Sequence, residues 1–161
     1  MDDIQIRKAK LSDIQGMYQL IFQNAQKNLM LPRALSELYE HLRDYAVAVQ
    51  GHRVIGVSGL GICWEDLGEI KSLAVETSFM GRGIGTKLVN FCLGEAREIG
   101  LKRVFALTYI PLFFQKLGFQ EIPKEELPHK IWSDCVKCPK FPKCDEIAVI
   151  FHIKEGEACD V

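Results

Sequence analysis

The sequence predicts an α+β fold: one mixed, mostly antiparallel sheet flanked by helices on both faces, with a single parallel strand pair. Three observations lead there. Apolar runs between Tyr45 and Val75 are separated by tight turns only, which makes them antiparallel neighbours. A long amphipathic stretch from Ile84 to about Ile99 lies between two strand-like runs, and a helical crossover of that kind joins parallel strands. A further helical stretch with one apolar face follows directly on the first strand.

Taken in order, Ile4 to Ala9 alternates and reads as a strand. Ser12 is placed as a helix N-cap, with Gln15 completing a capping box. Ile14, Met17, Tyr18, Ile21, Phe22 and Ala25 then follow helical spacing. Asn24 to Leu31 breaks the pattern, Pro32 marks a new start, and a second helix is expected from about Ala34 to Leu42. Tyr45–Val49 and Arg53–Cys63 form a hairpin around Gly51 and His52. A turn over residues 65–68 leads into a third strand, Glu69–Val75. Glycines 81, 83 and 85 open the helix that Gly100 closes as a C-cap. Arg103–Thr108 is the strand parallel to the third one. Pro111 suits the first turn of a short helix ended by Gly118. Phe119–Ile122 and Ile147–Ile153 are the last strands, with an irregular segment over 123–145 between them.

The chain has 161 residues and a net charge of −1. One domain over 1–153 with a tail over 154–161 is expected. No block of like charge points to nucleic acid or an anionic membrane, and no apolar run is long enough to span a bilayer. The N-terminus lacks a basic and then apolar signal segment, so a cytoplasmic location is expected. A small molecule is the expected partner, with neither nucleic acid nor membrane; association into a homodimer stays open.

The stretch from Met80 to Thr86 carries the first functional signal. Glycines let the backbone turn tightly, and the free N–H groups of a following helix attract an anion such as phosphate. The dinucleotide fingerprint fails, because its third glycine falls on Thr86. The P-loop fails because Lys87 follows Thr86 instead of preceding it. A glycine turn that merely starts a helix is the competing reading.

The combination of Glu69-Ile-Lys-Ser-Leu-Ala-Val75, Arg82-Gly-Ile-Gly85 and Phe113-Phe-Gln-Lys-Leu-Gly-Phe119 resembles the GCN5-related N-acetyltransferase (GNAT) superfamily. Two positions depart from the family pattern: Met80 stands where Gln or Arg is usual, and Phe114 where Tyr is usual. The resemblance implies acetyl-CoA as co-substrate, lying in a splay of the parallel strand pair. It implies that the backbone of Leu73, Ala74 and Val75 pairs with the pantetheine arm. Met80, Gly81, Gly83, Ile84, Gly85 and Thr86 would hold the pyrophosphate, with Arg82 adding charge at the rim. Phe113 and Phe114 would line the cofactor wall; plain core aromatics are the alternative. Glu69 stands at the position of the catalytic base in several members of the superfamily, with a solvent-facing strand residue as its alternative, and Tyr109 is the candidate replacement for the missing acid, or an aromatic lid.

The segments Leu31-Pro-Arg-Ala-Leu-Ser-Glu-Leu38, Phe105-Ala-Leu-Thr-Tyr109, Leu127-Pro-His-Lys-Ile-Trp132 and Asp134-Cys135 to Cys144-Asp-Glu146 are similar to the short, stand-alone N-acetylglutamate synthases of bacteria. That similarity implies L-glutamate as acceptor, at the entry to arginine biosynthesis. Two carboxylates call for cationic partners, best an Arg. Arg33, Lys71 and Lys130 are the candidates, each with surface cation as its alternative. Cys135 and Cys138 have metal-knuckle spacing and Cys144 is a third thiol, but no second such pair exists. No metal is expected, with a zinc staple or a redox pair as alternatives. The competing functions are acetylation of another small amine or a protein amine, and a non-catalytic regulator that binds acetyl-CoA or metal.

Overall fold

The computed structural model describes residues 3–127 and 146–154. Seven strands and four helices follow the predicted order: β1 (Ile4–Lys8), α1 (Ile14–Gln26), α2 (Leu35–Glu40), β2 (Tyr45–Gln50), β3 (Arg53–Ile62), β4 (Leu67–Val75), α3 (Ile84–Ile99), β5 (Arg103–Thr108), α4 (Pro111–Lys116), β6 (Gln120–Ile122) and β7 (Ile147–His152). The strands form one sheet in the order β1-β2-β3-β4-β5-β7-β6. β1 with β2, β2 with β3, β5 with β7 and β6 with β7 are antiparallel. β4 with β5 is parallel, in the register Leu67↔Arg103 to Glu69↔Phe105. Among the described residues no helix is long and apolar enough to cross a membrane.

The chain divides into two compact units, one built from the chain up to Gly61 together with Ile70–Ala96, the other from Ile62–Glu69 and the chain from Arg97 onward. In the first unit the alternation of β2 distributes two cores. Tyr45, Val47 and Val49 pack with Val57 and Ala74 against Ile14, Met17, Leu20, Ile21 of α1 and Leu38 of α2. Ala46 and Ala48 turn the other way and pack with Ile55 against Phe79, Ile84 and Leu88 of the α3 side. Gly56 lets α3 lie close: a Cβ there would sit 2.9 Å from Leu88 Cδ1 and 3.2 Å from Ala48 Cβ. In the second unit, Phe105 on β5 and Ala148 and Ile150 on β7 pack with Leu67 and Leu127.

Three local expectations are corrected. Ser12 does not cap α1. A 3-10 turn over Leu11–Asp13 precedes the helix, and the Asp13 carboxylate accepts the Lys10 backbone N–H at 2.7 Å. Arg7 holds that carboxylate, with Nη1 at 2.7 Å and Nη2 at 3.1 Å, which draws the acidic side chain inward and leaves the hydroxyl without the capping task. The buried face of α1 is Ile14, Met17, Leu20, Ile21 and Asn24, while Phe22 is exposed and stacks on Tyr18. The face is centred between the predicted i, i+3 and i+4 positions, and Phe22 falls at its margin. The second helix ends at Glu40, and a separate 3-10 turn over Leu42–Asp44 leads into β2. Lys130, Cys135, Cys138, Cys144 and, of the expected tail over 154–161, the residues from 155 onward lie outside the described residues.

Candidate active site

β4 is regular until Ser72, whose backbone adopts φ +56°. Left-handed geometry costs a non-glycine residue about 1–2 kcal/mol. Its consequence is a change of strand phase. Lys71 Nζ lies over the Tyr45 ring at 5.7 Å, Ser72 Oγ is 3.4 Å from Tyr45 Oη, and Ala74 shares the Tyr45 core. A strand without this kink would send residues 71 and 72 to opposite faces. Beyond it, Leu73 and Val75 turn to the α3 side. Bulges of this kind redirect side chains beside active sites.

Two of the three predicted acceptor cations are described, and both gather at this kink. Arg33 Nε donates to Ser72 Oγ at 3.0 Å, and its Nη1 pairs with Glu37 Oε2 of α2 at 3.3 Å. The Arg33 side chain keeps 32% exposure. Lys71 is held differently: Nζ pairs with Asp44 at 3.0 Å and the side chain is only 13% exposed. Asp44 thus neutralises a charge that the sequence offered to a ligand.

The backbone that follows the kink is tied from below. Asn24, buried in the α1 core, donates from Nδ2 to the Val75 carbonyl at 3.4 Å. Glu76 N–H donates to the Ile55 carbonyl at 2.8 Å. Ala74 is buried, whereas Leu73 and Val75 are half-buried.

The glycine loop has the geometry of an anion cradle. Gly81 and Gly83 have φ of +81° and +79°, and a Cβ at either would meet nothing within 4 Å. The first α3 hydrogen bond runs from Lys87 N–H to the Gly83 carbonyl at 3.0 Å. Gly83 therefore stands at the cap with no side chain to accept the N–H groups of Ile84, Gly85 and Thr86. Those donors and the positive end of a 16-residue helix suit a phosphate oxygen. Arg82 is exposed and places its guanidinium 5.1 Å from the centre of the Phe79 ring, and Met80 is also exposed.

In the second unit, Glu69 is half-buried and pairs in register with Phe105. Tyr109 is half-buried directly after β5. Thr108 Oγ1 accepts the Ile110 N–H at 2.9 Å and shapes the turn into α4. Phe114 is 3% exposed and sits edge-on between Phe113 and Phe119, with ring centres 5.2 Å and 5.1 Å away. Phe119 continues the run to Phe151 at 5.3 Å. Phe114 is thus built into an aromatic core, and of the pair only Phe113 retains partial exposure.

Four contributors escaped the sequence reading: Ser72, Tyr45, Asp44 and Asn24. Asn24 had a usable signal, since it continues the buried α1 spacing three residues after Ile21. Cys92, the thiol of the first unit, plays no part here. Cys92 packs against Ser58, and burial pushes its pKa up to about 12, so it stays a protonated thiol. Among the described residues no three His, Cys, Asp or Glu side chains gather as a metal site.

The model of the acetyltransferase (GNAT) family matches residues 11–119. The chain belongs to this family. An uncharacterized N-acetyltransferase of Chlorobaculum tepidum is 39% identical over 148 residues, covering 92% of this chain and 96% of that protein. An amino-acid acetyltransferase of Mycobacterium tuberculosis is 38% identical over 132 residues, covering 80% of this chain and 75% of that protein. Among solved structures, N-acetylglutamate synthase of Neisseria gonorrhoeae with coenzyme A and N-acetyl-glutamate superposes with a TM-score of 0.86 at 26% identity. That match covers 96% of this chain and 36% of the longer one. The GNAT chain described here is therefore an acetyl-CoA-dependent N-acetyltransferase, and the open helix start at Gly83 fits a phosphate group of that co-substrate.

Proposed function

We propose that the protein transfers the acetyl group of acetyl-CoA to the α-amine of L-glutamate. The observation that carries this reading is Arg33 seated on the β4 kink through Ser72. An anchored, half-exposed guanidinium is the group a carboxylate-bearing amino acid needs. The relatives named amino-acid acetyltransferase and N-acetylglutamate synthase support the same acceptor class.

The chemistry divides among few groups. Acetyl-CoA supplies the acetyl group as a thioester. Glu69 takes a proton from the ammonium of the amino acid, directly or through a water molecule, so that the amine attacks as a neutral nucleophile. Backbone N–H groups of Leu73–Val75 stabilise the charge that develops on the thioester oxygen. A thiol with a pKa near roughly 8.5 departs with little acid assistance, which makes Phe114 compatible with turnover. Tyr109 is the proton donor to the departing thiolate if one is used.

The test is the acceptor kinetics of Arg33→Ala and Arg33→Lys. A charge-assisted hydrogen bond is worth about 1.5–3 kcal/mol, so the alanine variant should raise the glutamate KM about 10–100-fold. The acetyl-CoA KM should stay within about twofold. Lys keeps the charge but loses the planar fork and should recover only part of the effect. An unchanged glutamate KM in Arg33→Ala defeats the proposal.

One observation favours a second reading. Lys71 is already neutralised by Asp44 and is only 13% exposed, so it offers little charge to a second carboxylate. An α-amino acid with a single carboxylate, acetylated by the same steps, would need no second cation.

A further inference from the structure

We propose that Ser72 is a positioning residue that sets the orientation of the Arg33 guanidinium and thereby tunes affinity for the acceptor's carboxylate. The inference rests on the reading of Arg33 given above and extends it to a residue that acts through Arg33. Three observations converge on Ser72. Its φ of +56° is one of two positive values outside glycine among the described residues, the other being Asn28. Asn tolerates that region through its short polar side chain, whereas Ser in a strand has no such excuse. Strain of this kind persists only where the surroundings over-determine it.

The surroundings do so here. Tyr45 is 1% exposed, and its phenol Oη lies 3.4 Å from Ser72 Oγ. A buried phenol with a polar neighbour fixes the hydroxyl from beneath. Arg33 Nε donates to the same hydroxyl from above at 3.0 Å. The kink makes the sandwich, because Lys71 and Ser72 both meet the Tyr45 side instead of alternating. Glu37 steadies Nη1 at 3.3 Å. With Nε held by Ser72 and Nη1 by Glu37, the plane of the guanidinium is defined by two points. A planar fork aligned in advance loses less freedom on pairing with a carboxylate.

The experiment compares Ser72→Ala and Ser72→Gly, alone and combined with Arg33→Ala. Alanine removes the hydroxyl and keeps the left-handed strain. Glycine removes both, so relief of the strain offsets part of what the lost hydroxyl costs. Each should raise the glutamate KM about tenfold, with kcat and the acetyl-CoA KM within about twofold. In the Arg33→Ala background neither substitution should raise the glutamate KM further, since Ser72 acts through Arg33. The Arg33 Nε–H should exchange with solvent faster in Ser72→Gly than in the parent protein, which reads the contact without any substrate. If Arg33→Ala raises the glutamate KM but both Ser72 variants leave it unchanged, Ser72 does not position Arg33 and the inference is overturned. If Arg33→Ala itself has no effect, the acceptor reading has failed and this inference falls with it. A melting-temperature change in Ser72→Ala without a KM change assigns Ser72 a purely structural role and overturns it as well.

Discussion

Replacement of Gly83 by Ala separates a phosphate cradle from a turn that only starts a helix. Gly83 has φ +79° and open space where a Cβ would stand. The substitution therefore introduces no clash. It costs about 1–2 kcal/mol for left-handed backbone, offset by about 0.4–1 kcal/mol from a stiffer unfolded chain, so the net loss is about 1 kcal/mol. For a chain of this size that is a melting-temperature decrease of about 2–4 °C. Gly100 is a matched control, with φ +92° and equally open space, just past the other end of α3. Gly100→Ala should lower stability by the same amount. The two should part in kinetics. An added methyl group at Gly83 intrudes where the first-turn N–H groups meet a phosphate, and loss of one charge-assisted bond is worth about 1.5–3 kcal/mol. Gly83→Ala should raise the acetyl-CoA KM about 10–100-fold, with Gly100→Ala unchanged. Initial rates at saturating acceptor, with calorimetric melts beside them, measure both quantities. Equal acetyl-CoA KM values for the two variants would refute the cradle and leave the loop as a helix start.

Other expectations concern stability and proton transfer. Burial raises the Asp13 pKa, but the Arg7 hydrogen bonds and the Lys10 N–H outweigh it, and the group ends below the usual carboxylate range. A depressed folded pKa gives stability that is full above the unfolded value, near roughly 4, and is lost as pH falls through the folded value. Asp13→Asn, which leaves Arg7 with a neutral partner, should lose about 2–4 kcal/mol at pH 7, and urea melts should show that gap shrinking below about pH 4. Glu69→Gln should lower kcat at neutral pH by about 100-fold and regain part of the loss as pH rises toward the amine's own pKa; a flat, wild-type pH–rate profile rules Glu69 out as the base. Lys71→Ala breaks the pair with Asp44, so stability should drop by about 1 kcal/mol while the glutamate KM moves far less than in Arg33→Ala. A KM effect as large as that of Arg33 would make Lys71 a substrate ligand.

The elements were legible because their signals are local and periodic. The alternation of β2, the 16-residue amphipathic α3 and the turn at Gly51 each record the burial of one face. The parallel strand pair followed from a crossover too long for a hairpin. At the candidate site, the glycine loop and Arg33 could be singled out because their residue types are informative. Ser72 was not, since a serine carries no mark of a left-handed backbone; the kink comes from what packs around it. The Asp44–Lys71 pair was invisible for a similar reason, as 27 residues separate the partners and they meet only across Gly61 of the intervening β3. Ser12 and Asp13 show the limit of cap rules, because an arginine on the preceding strand recruits the carboxylate. Phe114 reads equally well as a cofactor wall or a core aromatic from sequence, and its two edge-on neighbours place it in the core.

The acceptor itself is the central claim, and thiol release from acetyl-CoA in the presence of each amino acid, with the product identified by mass, tests it most directly. The account predicts that L-glutamate gives the highest kcat/KM and N-acetylglutamate as the product. Faster turnover of another amino acid or a polyamine, with L-glutamate inert, contradicts it.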